Sequence, residues 1–426
     1  MTSFYIETYG DSLYSSDSEQ MAGLLQQAKF EPKEKMEDAD IVILNTHKVK
    51  RSAVDSFVTK LNDIKKEYPY KIIIVAGSIP QVEPERFKNC TILGMRQFHH
   101  IVEAVEETLH NNIVKMLETD EMPPLDLPKI RKNLFLEIIP LTRESFHTTS
   151  TNPRIKPIYK NIDSYPRADI INAATKAVKE WVKEIWLTSQ DSASYGVDID
   201  TNLPSLLKEL IQIPGNFKIR LDKCNPASLK KIKDDLFPFF AHEKMFKYIH
   251  IPIQSGSNAM LKEMSCGSTK EECTSLIQEL WRIEPHLTLM TDIKIGHPME
   301  TEDDFWETLN LVRFLNPDII NISRFTAKLK TPGAFLPSLP EVEVQRRIAV
   351  LTEIYLNVSK LRNERWKDWE GNIVIDEKGL QSKEWIGHNE YYKAVIVEGE
   401  YKMGDTVKVR IVKTGRMELR GEVIGR

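Results

Sequence analysis

Three polar side chains follow three apolar, β-branched runs near the start of the chain. Asp11 follows FYIETY, His47 follows DIVILN and Ser78 follows KIIIVAG. Each run ends at a turn signal where a helix can begin, as in a parallel α/β sheet, and the carboxyl ends of parallel strands meet at one edge. We therefore expect the three side chains to converge. Carboxylate and imidazole suit zinc, but a hydroxyl is a poor third ligand and no fourth is evident, which favours a polar pocket over a metal site.

The spacing of the cysteines does not predict a metal site. The chain has four, Cys90, Cys224, Cys266 and Cys273, and the closest two are separated by six residues with no third nearby. Iron–sulfur clusters and structural zinc sites need several thiolates together. We expect ordinary reduced thiols.

Basic residues are concentrated at the end of the chain, where the six from Lys408 to Arg426 accompany only Glu418 and Glu422. Short alternating strands and glycine turns from Trp366 onward predict a small antiparallel β-barrel. Alternation along VKVRIVK puts Lys408 and Arg410 on one face, away from Val407 and Val409. Cations on such a face suit phosphate oxygens. The predicted RNA-binding residues are Lys393, Lys408, Arg410, Lys413, Arg416, Arg420 and Arg426.

Aromatic residues lie in the same segment, and Trp385, Tyr391 and Tyr392 are candidates for stacking on bases. The alternative is a strand face that is merely solvated. A small barrel with a basic strand favours RNA binding over that alternative.

The middle of the chain predicts a third architecture. A proline- and charge-bearing linker, residues 117–133, precedes alternating strand-like and helical runs up to about residue 336. Repeated strand–helix units give a parallel sheet that closes partly or wholly into a TIM-like barrel. The predicted domains are residues 1–116, flavodoxin-like, residues 134–345, and residues 366–426.

Length and composition bound the class of protein. The 426 residues are 41% hydrophobic and 28% charged, as in a globular protein of two or three domains. A net charge of −4 argues against a chain that coats nucleic acid all over, so RNA contact requires a local basic patch. There is no apolar run of eighteen residues and no basic-then-apolar leader, which predicts a cytoplasmic protein without a membrane partner.

Eight motifs occur in a fixed order along the chain. They are YIETYGDSLYSSDSE, DADIVILNTHKVK, IIIVAGSIPQ, LEIIPLTRESFHTTSTN, EIWLTSQDSASYG, HIPIQSGSN, TDIKIGHPMETEDDF and NISRFTAKLKTPGA. Taken together, from about Phe4 to Gly425, they resemble the tRNA methylthiotransferases, which are radical S-adenosylmethionine enzymes. The closest branch is the one that acts on threonylcarbamoyladenosine, and the last domain looks like the TRAM domain of that family.

The resemblance assigns a former role to six positions. The family's three N-terminal cluster cysteines match Asp11, His47 and Ser78, and the CxxxCxxC trio of its radical domain matches Ser145, Thr149 and Asn152. Because none of the six is a thiolate, the resemblance implies no iron–sulfur cluster, no metal and no catalytic residue. It also implies weak or no binding of S-adenosylmethionine, whose main anchor is cluster iron.

Other positions keep the family pattern of the cofactor pocket. They are Gln190, Asp191, the turn at residues 254–257, Asp292, Gly296 and Pro298. The interpretation favoured is that they close strand ends and turns, which any folded copy requires. Retained cofactor binding is the alternative.

These observations favour a non-catalytic methylthiotransferase-like protein that binds structured RNA in translation, either tRNA or the ribosome. Selectivity is expected in the loop at residues 144–152. Two alternatives stay open. One is a regulatory or substrate-holding subunit of an active methylthiotransferase, and the other is a tRNA-modifying enzyme with altered chemistry.

Overall fold

The computed structural model describes residues 1–47, 51–117, 121–144, 162–326 and 338–425. These residues divide into two compact units. The first lies within residues 1–134 and 138–173, and the second within residues 135–137, 174–326 and 338–425.

The first unit is built on a six-stranded parallel sheet. Its strands are β1 (Ser3–Tyr9), β2 (Glu31–Pro32), β3 (Ile41–Thr46), β4 (Ile72–Gly77), β5 (Thr91–Leu93) and β6 (Lys115–Met116). The order is β2-β1-β3-β4-β5-β6, with every neighbouring pair parallel. The helices are α1 (Ser12–Gln27), α2 (Arg51–Glu67), α3 (Ser78–Val82) and α4 (Ile101–Leu109). This order, with the central strand β3 buried along its whole length, is the flavodoxin-like sheet that the sequence predicts.

A buried ion pair ties the end of this unit to its first helix. Two further strands follow in the chain, β7 (Leu136–Pro140) and β8 (Thr142–Glu144), and β8 pairs antiparallel with β9 (Ile162–Ser164). Arg143 of β8 donates to both carboxylate oxygens of Asp17, at 2.9 and 2.6 Å, and to the Tyr165 hydroxyl at 2.9 Å. Bidentate geometry is the strong form of this interaction, so it fixes where β8 starts.

The second unit begins with parallel strands arranged in two linked sheets. The strands are β10 (Glu184–Thr188), β11 (Lys218–Leu221), β12 (Tyr248–His250), β13 (Thr288–Ile295) and β14 (Ile319–Arg324). In one sheet β10 pairs parallel with β11, and the other sheet has the order β12-β13-β14. A parallel bridge from Ile219 to Met245 links them, which gives a partial barrel.

Helices alternate with these strands. They are α5 (Arg167–Lys179), α6 (Leu203–Leu210), α7 (Pro226–Leu236), α8 (Asn258–Glu263), α9 (Lys270–Ile283), α10 (Glu302–Leu315) and α11 (Glu341–Glu364). Reciprocal capping boxes start α9, at Thr269 and Glu272, and α10, at Thr301 and Asp304. After α10, Asn316 adopts a left-handed conformation at φ +47° and turns the chain toward β14.

The C-terminal part of the second unit is a closed five-stranded barrel. Its strands are β15 (Glu370–Lys378), β16 (Glu384–His388), β17 (Ala394–Glu398), β18 (Thr406–Thr414) and β19 (Leu419–Gly425). They close in the order β15-β16-β17-β19-β18, and every neighbouring pair is antiparallel except β17 with β19, which are parallel. Alternate residues of β18 point inward, and Val407, Val409 and Ile411 fill the barrel core.

The predicted fold class is therefore confirmed in all three parts, while the predicted domain boundaries stay predictions. Over the part of the chain that the structure describes, no helix is both long enough and apolar enough to span a membrane.

Candidate functional site

The first candidate site lies at the carboxyl edge of the first sheet, where Asp11, His47 and Ser78 follow β1, β3 and β4. Oδ2 of Asp11 lies 3.9 Å from Nε2 of His47. The Ser78 hydroxyl donates to the carbonyl oxygen of Thr46 at 3.4 Å. Gly77 permits this approach, because its φ is +99° and a Cβ there would lie 2.1 Å from the Thr46 oxygen. The structure brings all three side chains to one edge.

The surroundings of this edge are aromatic and partly open. The His47 ring centroid lies 4.4 Å from that of Tyr14, and the His47 and Asp11 side chains are partly exposed whereas Ser78 is buried. Within the described ranges, no three His, Cys, Asp or Glu side chains come together as a metal-binding group. The second set of former cluster positions, Ser145, Thr149 and Asn152, lies outside the described residues, as does most of the loop at residues 144–152.

A hydrogen-bonded trio marks the partial barrel where β12 ends beside β13 and β14. Asp292 Oδ1 lies 3.0 Å from Nε2 of His250 and accepts from Nδ2 of Asn321 at 3.2 Å. Burial works against ionisation of Asp292, but the hydrogen bond and charge of His250, with the charge of Lys223, hold the pKa of that carboxyl below its ordinary value. Sequence reasoning named Asp292 and missed His250 and Asn321. His250 could have been found as the last residue of the strand before IPIQ. It lies beside Asp292 because β12 and β13 pair in parallel.

The other residues of the family pattern make contacts that shape the backbone. Asp191 accepts from the Ser228 hydroxyl at 2.6 Å and from two backbone N–H groups, and burial still raises the pKa of Asp191. Gln254 and Gly296 adopt φ of +80° and +87°, and the Gly296 N–H donates to Glu300 Oε2 at 2.9 Å. These contacts close turns and strand ends.

The basic face of β18 is the second candidate site. We define the basic face as Lys408, Arg410, Lys413 and Arg416, all of which are exposed. Arg410 donates to Glu370 Oε1 at 2.7 Å, and Lys408 Nζ lies 3.8 Å from the other oxygen of the same carboxylate. Arg416 lies 3.4 Å from Glu353. The basic face thus has more cations than carboxylates, and the side chains of these cations are exposed to solvent.

Two other predicted RNA-binding residues are not part of this face. Lys393 is only 8% exposed and donates to Asp318 at 3.2 Å, so its assignment to RNA is corrected to a structural ion pair. Arg420 is partly buried and lies among Glu384, Glu418 and Glu398, at 2.9, 3.2 and 4.0 Å, which neutralise its charge. Arg426 lies outside the described residues.

The predicted stacking residues also serve packing. Tyr392 stacks on His388, with ring centroids 4.5 Å apart, and its hydroxyl accepts from Arg220 at 3.0 Å. Tyr391 packs edge-on against Trp366, at 4.9 Å between centroids. The rings of Tyr391 and Tyr392 are therefore used inside the second unit, and Trp385 packs against the barrel core, although all three side chains are partly exposed.

An ion cluster around Asp318 joins the barrel to the central sheet. The Asp318 carboxylate is fully buried and accepts from Arg362, Arg365 and Lys393, at 3.2, 3.0 and 3.2 Å, and from the backbone N–H of Leu289 at 3.1 Å. Burial would raise the pKa of Asp318, but the charges of Lys393, Arg362 and Arg365 outweigh burial and lower it. This cluster was not predicted from the sequence, because its cations lie 44 to 75 residues from Asp318 along the chain.

Comparison with known proteins adds family information to this geometry. The model of Uncharacterized protein family UPF0004 matches residues 3–93, and that of the TRAM domain matches residues 371–424. A human threonylcarbamoyladenosine tRNA methylthiotransferase is 32% identical over 99% of this chain and 74% of its own length. A probable threonylcarbamoyladenosine tRNA methylthiotransferase of Pyrococcus horikoshii is 30% identical over the full length of both chains.

A solved structure shows the same fold. The radical S-adenosylmethionine methyltransferase TsrM from Kitasatospora setae, with cobalamin and a [4Fe-4S] cluster bound, superposes with a TM-score of 0.53 over 78% of this chain and 77% of its own, at 14% identity. This likeness concerns the fold alone.

These relatives overturn two expectations from the sequence. A non-catalytic protein was expected, yet relatives that match almost the whole chain at about 30% identity are named for an enzymatic reaction. The expectation of no cofactor falls with it, since it was tied to the absence of an enzymatic reaction, for which the full-length relatives are named. Both expectations are withdrawn.

The donor set on the first sheet nevertheless does not fit a thiolate-held cluster. Asp11, His47 and Ser78 offer a carboxylate, an imidazole and a hydroxyl, whereas iron–sulfur clusters are held by cysteine thiolates. No step of a reaction is assigned through a cluster at this edge.

The Asp318 cluster predicts a specific loss of stability. Asp318→Asn leaves the buried ammonium of Lys393 and two partly exposed guanidinium groups without their carboxylate. Removal of one partner of a buried ion pair costs about 3–5 kcal/mol. Urea unfolding at pH 7 should show that loss. Glu353→Gln is the matched control, because the exposed pair of Glu353 with Arg416 is worth about 0–1 kcal/mol.

The sign of the pH dependence follows from the lowered pKa of Asp318. The carboxylate stabilises the fold above its ordinary value of 3.8, and this contribution is lost as pH falls through the lower folded value. The difference between wild type and Asp318→Asn should therefore shrink in acid. A difference that stays constant below pH 3.8 would contradict the assignment of the cluster to Asp318.

Proposed function

The chain belongs to the tRNA methylthiotransferase family, and from this premise we propose that it binds tRNA and acts in tRNA modification. The family match over almost the whole chain carries the proposal. The names of those relatives make a tRNA that contains threonylcarbamoyladenosine the proposed substrate. A ribosomal partner and a second methylthiotransferase subunit stay predictions, and none of the described contacts favours them.

The basic face of β18 is the proposed grip on tRNA. Lys408, Arg410 and Lys413 extend from a strand whose other side is buried in the barrel, and Arg416 lies in the turn that follows this strand. Together they present a row of charge to phosphates. Glu370 competes with RNA phosphates for these cations, because its carboxylate pairs with Arg410 and lies near Lys408. Binding to phosphate must exchange these contacts.

Salt dependence tests the grip. Each phosphate contact lowers log K by roughly 0.7 to 0.9 per unit of log salt. Changing Lys408, Arg410, Lys413 and Arg416 to Gln should therefore reduce the slope for tRNA binding by roughly 3 and weaken binding to different tRNAs alike. Fluorescence anisotropy with labelled tRNA at several salt concentrations measures both.

A matched control removes the same charge elsewhere. Lys29, Lys35, Lys66 and Lys88 are exposed lysines of the first unit, and their change to Gln should leave the slope unaltered. Glu370→Gln should instead tighten tRNA binding, since it frees two cations. Equal slopes for the two quadruple variants would show that the barrel is not the grip.

Nucleoside analysis tests the modification itself. When the chain is expressed in a cell that lacks its own threonylcarbamoyladenosine methylthiotransferase, mass spectrometry of digested tRNA should detect the methylthio derivative of threonylcarbamoyladenosine. The quadruple variant of the basic face should give less of it, because tRNA binding is weakened. An active relative serves as the positive control.

One outcome would contradict the proposed reaction. If the expressed chain binds tRNA with the predicted salt dependence and the methylthio nucleoside stays absent, the proposed reaction is wrong while the proposed tRNA grip stands.

A further inference from the structure

Lys223 lies at the carboxyl edge of the partial barrel, just after β11 ends at Leu221. Its carbonyl oxygen accepts from the backbone N–H of Ser192, in the loop after β10, at 2.9 Å. The N–H of the next residue, Cys224, donates to the carbonyl oxygen of His250 at the end of β12, at 2.8 Å. These bonds hold Lys223 between the ends of β10 and β12, at the edge where α/β barrels carry out their chemistry.

The side chain of Lys223 is partly exposed, and its ammonium group forms no ion pair among the residues that the structure describes. Two carboxylates of the same edge have other partners. Asp222 accepts from the Thr188 hydroxyl at 2.8 Å and from the backbone N–H of Lys223 at 2.9 Å. Asp292 accepts from Asn321 and is hydrogen-bonded to His250.

Lys223 nevertheless faces the same space as this trio. Burial works against ionisation of Asp292, whereas the hydrogen bond and charge of His250 and then the charge of Lys223 lower the pKa of that carboxyl. A charge acts in this way only over a short distance. The ammonium group therefore lies beside the accessible side of the trio.

Two further cations lie at the ends of neighbouring strands. Arg324, the last residue of β14, pairs with Glu341 of α11. Lys294 of β13 lies near the Cys266 thiol, on which its charge acts. Of these three cations, Lys223 is the one that the described contacts leave for a ligand.

The proposed substrate has an anionic group that suits this cation. In threonylcarbamoyladenosine the amino group of threonine is joined through a carbonyl group to the base, so the threonine carboxylate stays free and is ionised at pH 7. A hydrogen bond between ammonium and carboxylate is roughly twice as strong as a neutral one. Unmodified adenosine has no anionic group on its base. A cation at this edge therefore distinguishes the two nucleosides.

We infer that Lys223 determines specificity for threonylcarbamoyladenosine by pairing with the threonine carboxylate. This inference rests on the proposed function, and it names the residue that recognises the modified nucleoside. Rejection of the unmodified nucleoside follows from the same pairing, because a site built to bind a charged group loses that interaction when the group is missing.

Three tRNAs of one sequence, assembled by ligation from synthetic segments, test the inference with the full chain. At one position they carry threonylcarbamoyladenosine, its methyl ester or unmodified adenosine. Wild type should bind the first about tenfold more tightly than the other two, because only the first offers an ionised carboxylate. Fluorescence anisotropy at one fixed salt concentration measures the three Kd values.

Three variants attribute this preference to Lys223. Lys223→Gln should bind the three tRNAs with equal Kd, since the carboxylate has lost its partner, whereas Lys223→Arg keeps the charge and should keep a preference for the first tRNA. Lys208→Gln is the matched control, because Lys208 is an exposed lysine on α6 of the same unit, and it should keep the full preference. Thermal unfolding checks that all three variants fold.

The inference is overturned if wild type binds the three tRNAs equally, or if folded Lys223→Gln keeps the preference for the carboxylate. Both outcomes leave the proposed grip on tRNA standing. Absence of binding to all three tRNAs would instead overturn the proposed function, and this inference with it.

Discussion

The Asp318 carboxylate is buried where the end of α11, the central sheet and the barrel meet, and it pairs with three cations. Arg362 and Arg365 come from the end of α11, and Lys393 comes from the turn between β16 and β17. Cations of this kind are stable in an interior only when they are paired. Separation of the barrel from the sheet would therefore break the pair of Lys393 with the buried Asp318 carboxylate.

Aromatic rings also contact the arginines of this cluster. The Arg362 guanidinium lies 4.9 Å from the Trp281 ring centroid, and that of Arg365 lies 5.2 Å from Trp366. A second anchor repeats this design beside it, where Arg220 of β11 lies 3.9 Å from the Trp186 centroid and 4.8 Å from that of Tyr392. Both anchors take residues from the turn at 389–393, so this turn is one part of the barrel that docks. The turn after β18 is another, because Ser359 and Asn363 of α11 donate to the carbonyl oxygens of Arg416 and Gly415, at 2.6 and 3.1 Å.

Docking through the turn at 389–393 explains which cations are left for RNA. Lys393 and Tyr392 look like nucleic-acid ligands in the sequence, but the anchors use them. β18 does not contribute to the anchors, so the alternation of its residues puts Lys408 and Arg410 at the surface.

The features of the fold that depend on periodicity and local turns were predicted from the sequence. Buried runs gave the parallel strands, alternation gave the two faces of β18, and strand ends placed Asp11 and His47 at one edge. It could not predict Asp318, whose partners are distant in sequence, because neither hydropathy nor spacing records an ion cluster. The loss of cysteines suggested a protein without enzymatic activity, and the family of full-length relatives corrected this, since residue types at a few positions do not define the activity of a chain.

The central claim is that the docked barrel holds tRNA by the outward face of β18. Hydrogen–deuterium exchange of the full chain with and without tRNA tests it most directly. Peptides that cover residues 406–416 should exchange more slowly when tRNA is bound, while the turn at residues 389–393, already buried against Asp318 and Arg220, should be unchanged. Protection elsewhere in the chain with no change at residues 406–416 would contradict the account.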